Sequence, residues 1–123
     1  MSRIVKNLNG SVEWFAYDPW DRLIRHRTDG PAISHPDGGE EWYYNDRLHR
    51  EDGPAVVWSN GTREWYFKGH LHREDGPAIE WTNGKREWYL RGLSVSELQH
   101  FLESPYYQNL PSDERVRKRL EII

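Results

Sequence analysis

The feature that most constrains this 123-residue chain is a sequence unit repeated every 23 residues. The string Asp-Gly-Pro-Ala occurs three times at this period, at 29–32, 52–55 and 75–78. An earlier Glu-Trp-Phe string at 13–15 begins a partial fourth copy, separated from the next by a five-residue insertion within 17–24. Because identical units bury their apolar surface by stacking, the sequence predicts an array in which each unit contacts its neighbours.

Each unit has the pattern of a β-hairpin. In the clearest copy, residues 63–67 are aromatic and favour an extended strand, which Lys68-Gly69 ends with a turn. Residues 71–81 form a second strand, bent at Asp-Gly-Pro, and Asn83-Gly84 closes the unit with a hairpin signal. The sequence thus predicts a mainly β fold over 1–92, an antiparallel meander in one elongated sheet.

Helical signals replace the repeat after Gly92. Ser94 followed by Glu97 is a capping box, which predicts a helix ending at Pro105, and a second helix is predicted from Ser112. We expect residues 93–123 to be a helical cap of the same domain that covers the last sheet edge. The alternative is a partner-binding tail formed by its basic residues, Arg115, Arg117, Lys118 and Arg119.

Composition favours a folded domain without catalytic chemistry. Mean hydropathy is −1.00, but 14% of residues are aromatic and the net charge is only −3, unlike disordered chains. No segment is long and apolar enough for a membrane span or a secretory signal, so a cytoplasmic location is predicted. Cysteine is absent and no catalytic motif occurs, so we expect no enzymatic activity, no metal and no cofactor.

Strand alternation divides the aromatic residues between two faces. Trp42 and Trp65 share the first face with Tyr44 and Phe67, and this apolar face is the predicted core. The second face carries the Tyr residues of the Glu-Trp-Tyr strings among charged residues, which suits a recognition surface. The alternative is that these Tyr side chains only pack across neighbouring strands.

The triplet His-Arg-x-Asp, present in each of the three full units, has two readings. Evenly spaced Arg side chains can clamp carboxylates or phosphates of a partner. Alternatively, the triplet is structural and bonds the backbone groups that the Gly-Pro bend leaves unpaired. A metal shared between units is excluded because neighbouring units are about 10 Å apart, too far for ligands of one ion.

The insertion carries a tryptophan that the repeat does not require. Trp20 lies there beside Arg22 and near Arg25. Trp and Arg are enriched at interface hot spots, so the insertion predicts a docking loop. The alternative is that Trp20 folds back over the N-terminal sheet edge.

The unit, with its aromatic strand, Gly turn, following His and closing Asn/Asp-Gly, resembles the MORN repeat. It is most similar to the divergent H-R-E-D-G-P-A type found in small proteins of tailed phages and large DNA viruses. The resemblance covers about three quarters of the chain. It implies a MORN-like hairpin array and an accessory factor that binds and inhibits or redirects a host protein, such as a defence component. Arg replaces the Gly that normally follows His in a MORN unit. The functions of ordinary MORN arrays, including lipid contact and junction scaffolding, are therefore not expected for this chain.

The leading hypothesis is a non-enzymatic protein-binding factor, monomeric or homodimeric, with no membrane partner. Its predicted partner-binding residues are Trp20, Arg22, Arg25, Tyr43, Tyr66, Tyr89, His49, Arg50, His72 and Arg73. The alternative is binding of a nucleotide, oligonucleotide or signalling nucleotide, stacked on Tyr or Trp with Arg50 or Arg73 on its phosphates. A further alternative is a structural virion or assembly module.

Overall fold

A computed structural model of the chain describes residues 4–122, apart from the side chains of residues 4, 8 and 119–122. Most strands in this range are only two or three residues long. In chain order they are β1 Ile4–Leu8, β2 Ser11–Tyr17, β3 Leu23–Arg25, β4 Ile33–Ser34, β5 Glu40–Glu41, β6 Tyr43–Tyr44, β7 Arg47–Leu48, β8 Val56–Val57, β9 Arg63–Glu64, β10 Tyr66–Phe67, β11 His70–Leu71, β12 Ile79–Glu80, β13 Arg86–Leu90 and β14 Leu93–Val95. The helices are α1 Glu97–Glu103, α2 Pro105–Gln108 and α3 Ser112–Ile122.

Ten strands form one antiparallel sheet in the order β1-β2-β4-β5-β8-β9-β12-β13-β14, with β3 also paired to β2. The predicted mainly β antiparallel meander with a C-terminal helical region is therefore confirmed. The prediction of one continuous sheet is wrong, because β6–β7 and β10–β11 pair as separate two-stranded hairpins.

The break occurs at the repeated Trp. The Trp42 N–H donates to the Ala55 carbonyl oxygen (2.7 Å), while the Trp42 carbonyl accepts from the His49 N–H (3.0 Å). Trp65 repeats this arrangement with Ala78 and His72. Each aromatic strand therefore changes hydrogen-bonding partner at its Trp, the first half joining the main sheet and the second half its own hairpin.

The hairpins stand side by side and are joined by backbone hydrogen bonds. The Gly69 N–H donates to the Leu48 carbonyl oxygen (2.8 Å), and the Arg50 N–H donates to the Tyr66 carbonyl oxygen (3.2 Å). Equivalent bonds join the hairpins before and after this pair. The turns of successive hairpins thus lie in a row, which we call the hairpin tips (residues 18–22, 45–46, 68–69 and 91–92).

The core consists of small aliphatic side chains that follow each Gly-Pro bend. Ala32, Ala55 and Ala78 have no exposed surface, and the Ile or Val after each is also buried. The predicted aromatic core is wrong at two positions, since Tyr44 is 47% and Phe67 40% exposed. These two residues lie in the hairpins, outside the main sheet, where no second layer covers them.

The sheet continues past Gly92 through β14 before the helices begin. The helix predicted from Ser94 starts later, because Ser94 pairs with Tyr89 in the sheet and Ser96 is the N-cap, its Oγ accepting from the Gln99 N–H. Helix α1 ends just before Pro105, as predicted, Pro105 opens the short helix α2, and α3 begins at Ser112 as predicted.

The C-terminal helices are attached to the end of the array. Helix α1 packs against β13, and the buried His100 hydrogen-bonds the Arg73 carbonyl oxygen through Nε2. Tyr107 Oη donates to the Arg115 carbonyl oxygen (3.1 Å), which joins α2 to α3. None of the helices within residues 4–122 is long and apolar enough to cross a membrane.

Candidate functional site: an aromatic ladder between two rows of turns

The guanidinium of the repeated Arg lies over the ring of the repeated Trp. In the second unit, the Arg50 guanidinium carbon is 3.8 Å from the centre of the Trp42 ring. Arg50 Nε donates to Asp52 Oδ1 (3.0 Å) and Nη1 donates to the Pro54 carbonyl oxygen (3.2 Å). Arg27 on Trp14 and Arg73 on Trp65 have the same contacts in their own units.

The Gly of Asp-Gly-Pro makes room for this arrangement. A Cβ at Gly53 would lie 3.0 Å from Arg50 Cζ, so the guanidinium would have to shift to make room for a side chain there. The motif from His to Pro thus stabilises its own loop. The Asp carboxylate and the Pro carbonyl oxygen accept hydrogen bonds from the Arg side chain, and Gly leaves space for that side chain. This geometry supports the structural reading of Arg50 and Arg73, whose predicted contact with a partner stays a prediction.

The repeated His connects each unit to the next. His49 Nδ1 accepts the Lys68 N–H (2.9 Å), and His26 and His72 accept the equivalent N–H groups of Asn45 and Arg91. These three donors have φ between 48° and 52°, a strained left-handed conformation for residues other than Gly. Each His therefore holds the strained turn of the following hairpin, and its Nδ1 must be unprotonated to do so.

The His rings and the exposed hairpin aromatics form one continuous row, which we call the aromatic ladder. Successive ring centres are separated by 4.7, 6.0, 4.7 and 6.1 Å. These distances are typical of favourable tilted aromatic pairs. In order along the array the rings are His26, Tyr44, His49, Phe67 and His72.

The turns beside the ladder carry charges of both signs. At and beside the hairpin tips the basic side chains are Arg22, Arg47, Lys68 and Arg91, and the acidic ones are Asp18, Asp21 and Asp46. The His-Arg-x-Asp-Gly-Pro loops present exposed carboxylates, Glu51, Asp52, Glu74 and Asp75. A cleft of about 870 Å³ reaches from one row to the other, with Tyr44, His49 and Trp42 between them.

The Tyr residues on the opposite face are bonded to the Glu of their own strand. Tyr43 Oη donates to Glu41 (3.3 Å) and Tyr66 Oη to Glu64 (3.1 Å). Burial, together with the Glu64 charge, raises the pKa of Tyr66 to about 12. Burial and Glu41 likewise raise the pKa of Tyr43.

Two further residues of this face, Tyr89 and Arg25, were predicted to bind a partner. Tyr89 is half-buried. Arg25 joins the face, paired with Glu13 (3.3 Å) and lying 5.8 Å from the Tyr43 ring centre. Tyr43, Tyr66 and Arg25 thus have contacts within the protein, and the role of this face in recognition stays a prediction.

Trp20 lies at the tip of the first hairpin and is 74% exposed. The backbone around it is fixed by Asp18, whose Oδ1 accepts the N–H groups of Trp20 (2.9 Å) and Arg22 (2.8 Å). Arg22 Nε donates to the other Asp18 oxygen (2.7 Å), and its guanidinium lies 5.3 Å from the Trp20 ring centre. Trp20 does not fold back over the sheet, so that alternative is wrong.

The electrostatics of Asp18 agree with an ordered loop. Burial alone would raise the pKa of this carboxyl, but the hydrogen bonds from Arg22 and Trp20 outweigh it and lower the pKa. Asp21 completes the loop in a left-handed conformation, with φ of 59°. The loop therefore holds an exposed Trp in one position.

The predicted site residues thus fall in three places: the first tip, the Tyr face, and the ladder with its loops. Sequence reasoning missed the exposure of Tyr44 and Phe67 and the basic residues at and beside the later hairpin tips, Arg47, Lys68 and Arg91. The sequence signal that could have indicated their exposure is the Gly, Asn or Asp turn beside each of these residues. Within residues 4–122, no three His, Asp or Glu side chains converge as ligands of a metal would. The chain matches no protein-family model, no curated protein and no solved structure.

Proposed function

We propose that this protein is a non-enzymatic binding module that docks a protein partner along the aromatic ladder, with Trp20 as the principal anchor. The observation that carries the proposal is Trp20, 74% exposed on a loop fixed by five hydrogen bonds that involve the side chain or backbone of Asp18. A large exposed aromatic in a preordered loop loses little conformational freedom on binding, which favours affinity. Nothing in the repeat requires this residue for folding.

The ladder supplies the rest of the docking surface. Tyr44 and Phe67 extend the apolar area along the array, and each is held between two His rings. Exposed apolar patches framed by polar residues are typical of protein interaction sites. The anchor and the ladder belong to one series, since Trp20, Tyr44 and Phe67 all lie at or beside successive hairpin tips.

The charges support a protein over a nucleic acid as the partner. A polyanion would be attracted by Arg47, Lys68 and Arg91 but repelled by the exposed carboxylates of the loops, Glu51, Asp52, Glu74 and Asp75. A protein surface carries both signs of charge and can match both rows. The resemblance to MORN-like phage repeats adds the proposal that this partner belongs to a host cell.

The test is affinity capture from a lysate of the cell that makes the protein, with identification of retained proteins and small molecules by mass spectrometry. We expect a specific protein to be retained by wild type and Trp20→Phe, and its affinity to fall about 30-fold or more in Trp20→Ala, as for a hot spot. The matched control is Leu93→Ala, which removes another exposed apolar side chain, at the opposite end of the array.

Two results would contradict the proposal. One is that no captured protein depends on Trp20. The other is that the purified protein carries a ligand absorbing near 260 nm whose release leaves no protein binding, which would favour the nucleotide alternative. Circular dichroism melting of each variant separates loss of binding from loss of folding.

A further inference from the structure

A second cleft, of about 940 Å³, lies where the C-terminal helices meet the array. It is bounded by the loops 50–54 and 72–75 and by residues 104–106 at the start of α2. The ring of Phe67 lines it from the ladder, and the exposed Tyr106 lines it from the helices. Since Tyr106 comes from outside the repeat, this cleft is not a copy of the one between the preceding loops.

Tyr106 is the part of the aromatic lining that is open to a ligand. Phe67 already has three neighbours, the rings of His49 and His72 and the Lys68 Nζ at 5.4 Å from its ring centre, whereas Tyr106 has a ring neighbour in Phe101 at 6.2 Å. Both aromatic side chains keep a large part of their surface exposed. Exposed aromatic faces attract cations through their quadrupole, and Arg and Lys are the usual protein cations.

In this cleft the basic side chains are mostly buried and the acidic ones are exposed. The side chains of Arg50 and Arg73 are only 24% and 23% exposed, stacked on Trp rings and paired with Asp52 and Asp75. The side chains of Glu51 and Glu74, in contrast, are 79% and 65% exposed. An incoming group therefore meets carboxylates first.

Glu51 and Glu74 lie beside imidazoles, not beside guanidinium groups. Glu51 Oε1 is 3.7 Å from His49 Nε2, and Glu74 Oε1 is 3.6 Å from His72 Nε2. Each of these imidazoles accepts a backbone N–H at Nδ1, which leaves Nε2 as the nitrogen that faces the carboxylate. Within the part of the chain that the structure describes, neither carboxylate is paired with an Arg or Lys side chain.

We propose that this cleft receives a cationic side chain, arginine or lysine, of the protein partner. The cation lies against Tyr106 and pairs with one of the two carboxylates, Glu51 or Glu74. The inference rests on the proposed function and specifies the chemistry of the partner: a basic residue in a segment that also contacts the ladder. The preceding cleft, lined by Arg47 and Lys68, does not offer the same charge.

The experiment uses a capped hexa-arginine peptide as the probe and follows backbone amide shifts of the full chain by NMR. We expect shifts at residues 50–54, 72–75 and 104–106, and no comparable shifts with hexa-glutamate. The double variant Glu51→Gln/Glu74→Gln should weaken binding about three- to tenfold, and Tyr106→Ala should weaken it as well. The control is Glu97→Gln/Glu114→Gln, which changes the net charge equally but leaves the cleft intact.

Three outcomes would overturn the inference. Equal weakening by the control would show only general attraction of an acidic protein for a basic peptide. Binding of hexa-glutamate at these residues would show that the cleft prefers anions. Concentration-dependent self-association abolished by the double variant would assign the cleft to a second copy. If captured partner binding depends on Trp20 but not on Glu51 and Glu74, the proposed function stands and this inference fails.

Discussion

Replacing Arg50 by Lys separates a structural role of the His-Arg-x-Asp motif from a role in recognition. Lys keeps the positive charge but has neither the planar surface that stacks on Trp42 nor the two separate donors that reach Asp52 and Pro54. If the residue serves the fold, the conservative variant loses stability. If it serves a partner through charge alone, stability stays unchanged.

The magnitude follows from three contacts. Stacking on Trp42 contributes about 0.5–2 kcal/mol, and the hydrogen bond from the charged guanidinium to the Pro54 carbonyl contributes about 1.5–3 kcal/mol. The pair with Asp52 contributes at most about 1 kcal/mol because Asp52 is mostly exposed. A Lys at this position recovers one of the two hydrogen bonds, so we expect losses of about 1–2 kcal/mol for Arg50→Lys and about 2–4 kcal/mol for Arg50→Ala.

The assay is urea unfolding followed by tryptophan fluorescence, supported by thermal melting. A loss of 1 kcal/mol corresponds to about 3–5 °C in a domain of this size. The control is Arg22→Lys, whose side chain is far more exposed and should change the free energy of unfolding by less than about 0.5 kcal/mol. Unchanged stability in both Arg50 variants, with binding of the partner lost, would refute the structural reading.

Three further predictions concern the ladder, the core and the Tyr face. Burial lowers the pKa of His26 below its ordinary 6.5, so at pH values below this the unfolded chain binds more protons than the folded protein. The free energy of unfolding should therefore have its full value above the ordinary pKa of His26 and decrease below it. Urea unfolding from pH 8 to pH 5 measures this decrease, which should be less steep in His26→Gln. Ala55→Val adds two methyl groups where no surface is exposed, and calorimetry should show a loss of about 1–3 kcal/mol. Spectrophotometric titration should find Tyr66 still protonated at pH 11, and Glu64→Gln should lower its pKa by removing the neighbouring charge.

The sequence was sufficient to predict the antiparallel meander, because the Gly turns recur at a fixed period. It was not sufficient to predict where each strand divides. An alternating strand pattern assigns Trp42 and Tyr44 to one face, but it contains no information about which neighbour each half of the strand bonds. The partner changes at Trp42, and this places Tyr44 in a hairpin that nothing covers.

The candidate site was predictable in part for a similar reason. Trp20 was recognised because it departs from the repeat, and the structure describes it as exposed. The role of His49 was not predictable, since its bond to the Lys68 N–H joins residues of adjacent units. Nor does the sequence indicate that Tyr106, beyond the repeats, lines a cleft together with Phe67.

For the proposed docking function, specificity depends on the positions at which the units differ. In each unit, Arg, Asp, Gly and Pro form the loop and His bonds the next turn. The positions that are the same in every unit therefore serve the fold. The units differ at the position two residues after the repeated Trp, where Tyr44 and Phe67 are exposed but Leu90 is buried, and the exposed Trp20 occurs at the first tip. An array of equal hairpins therefore presents a row of unequal side chains. A partner that distinguishes them binds in one register, whereas a partner that read only the repeated motif would bind in several.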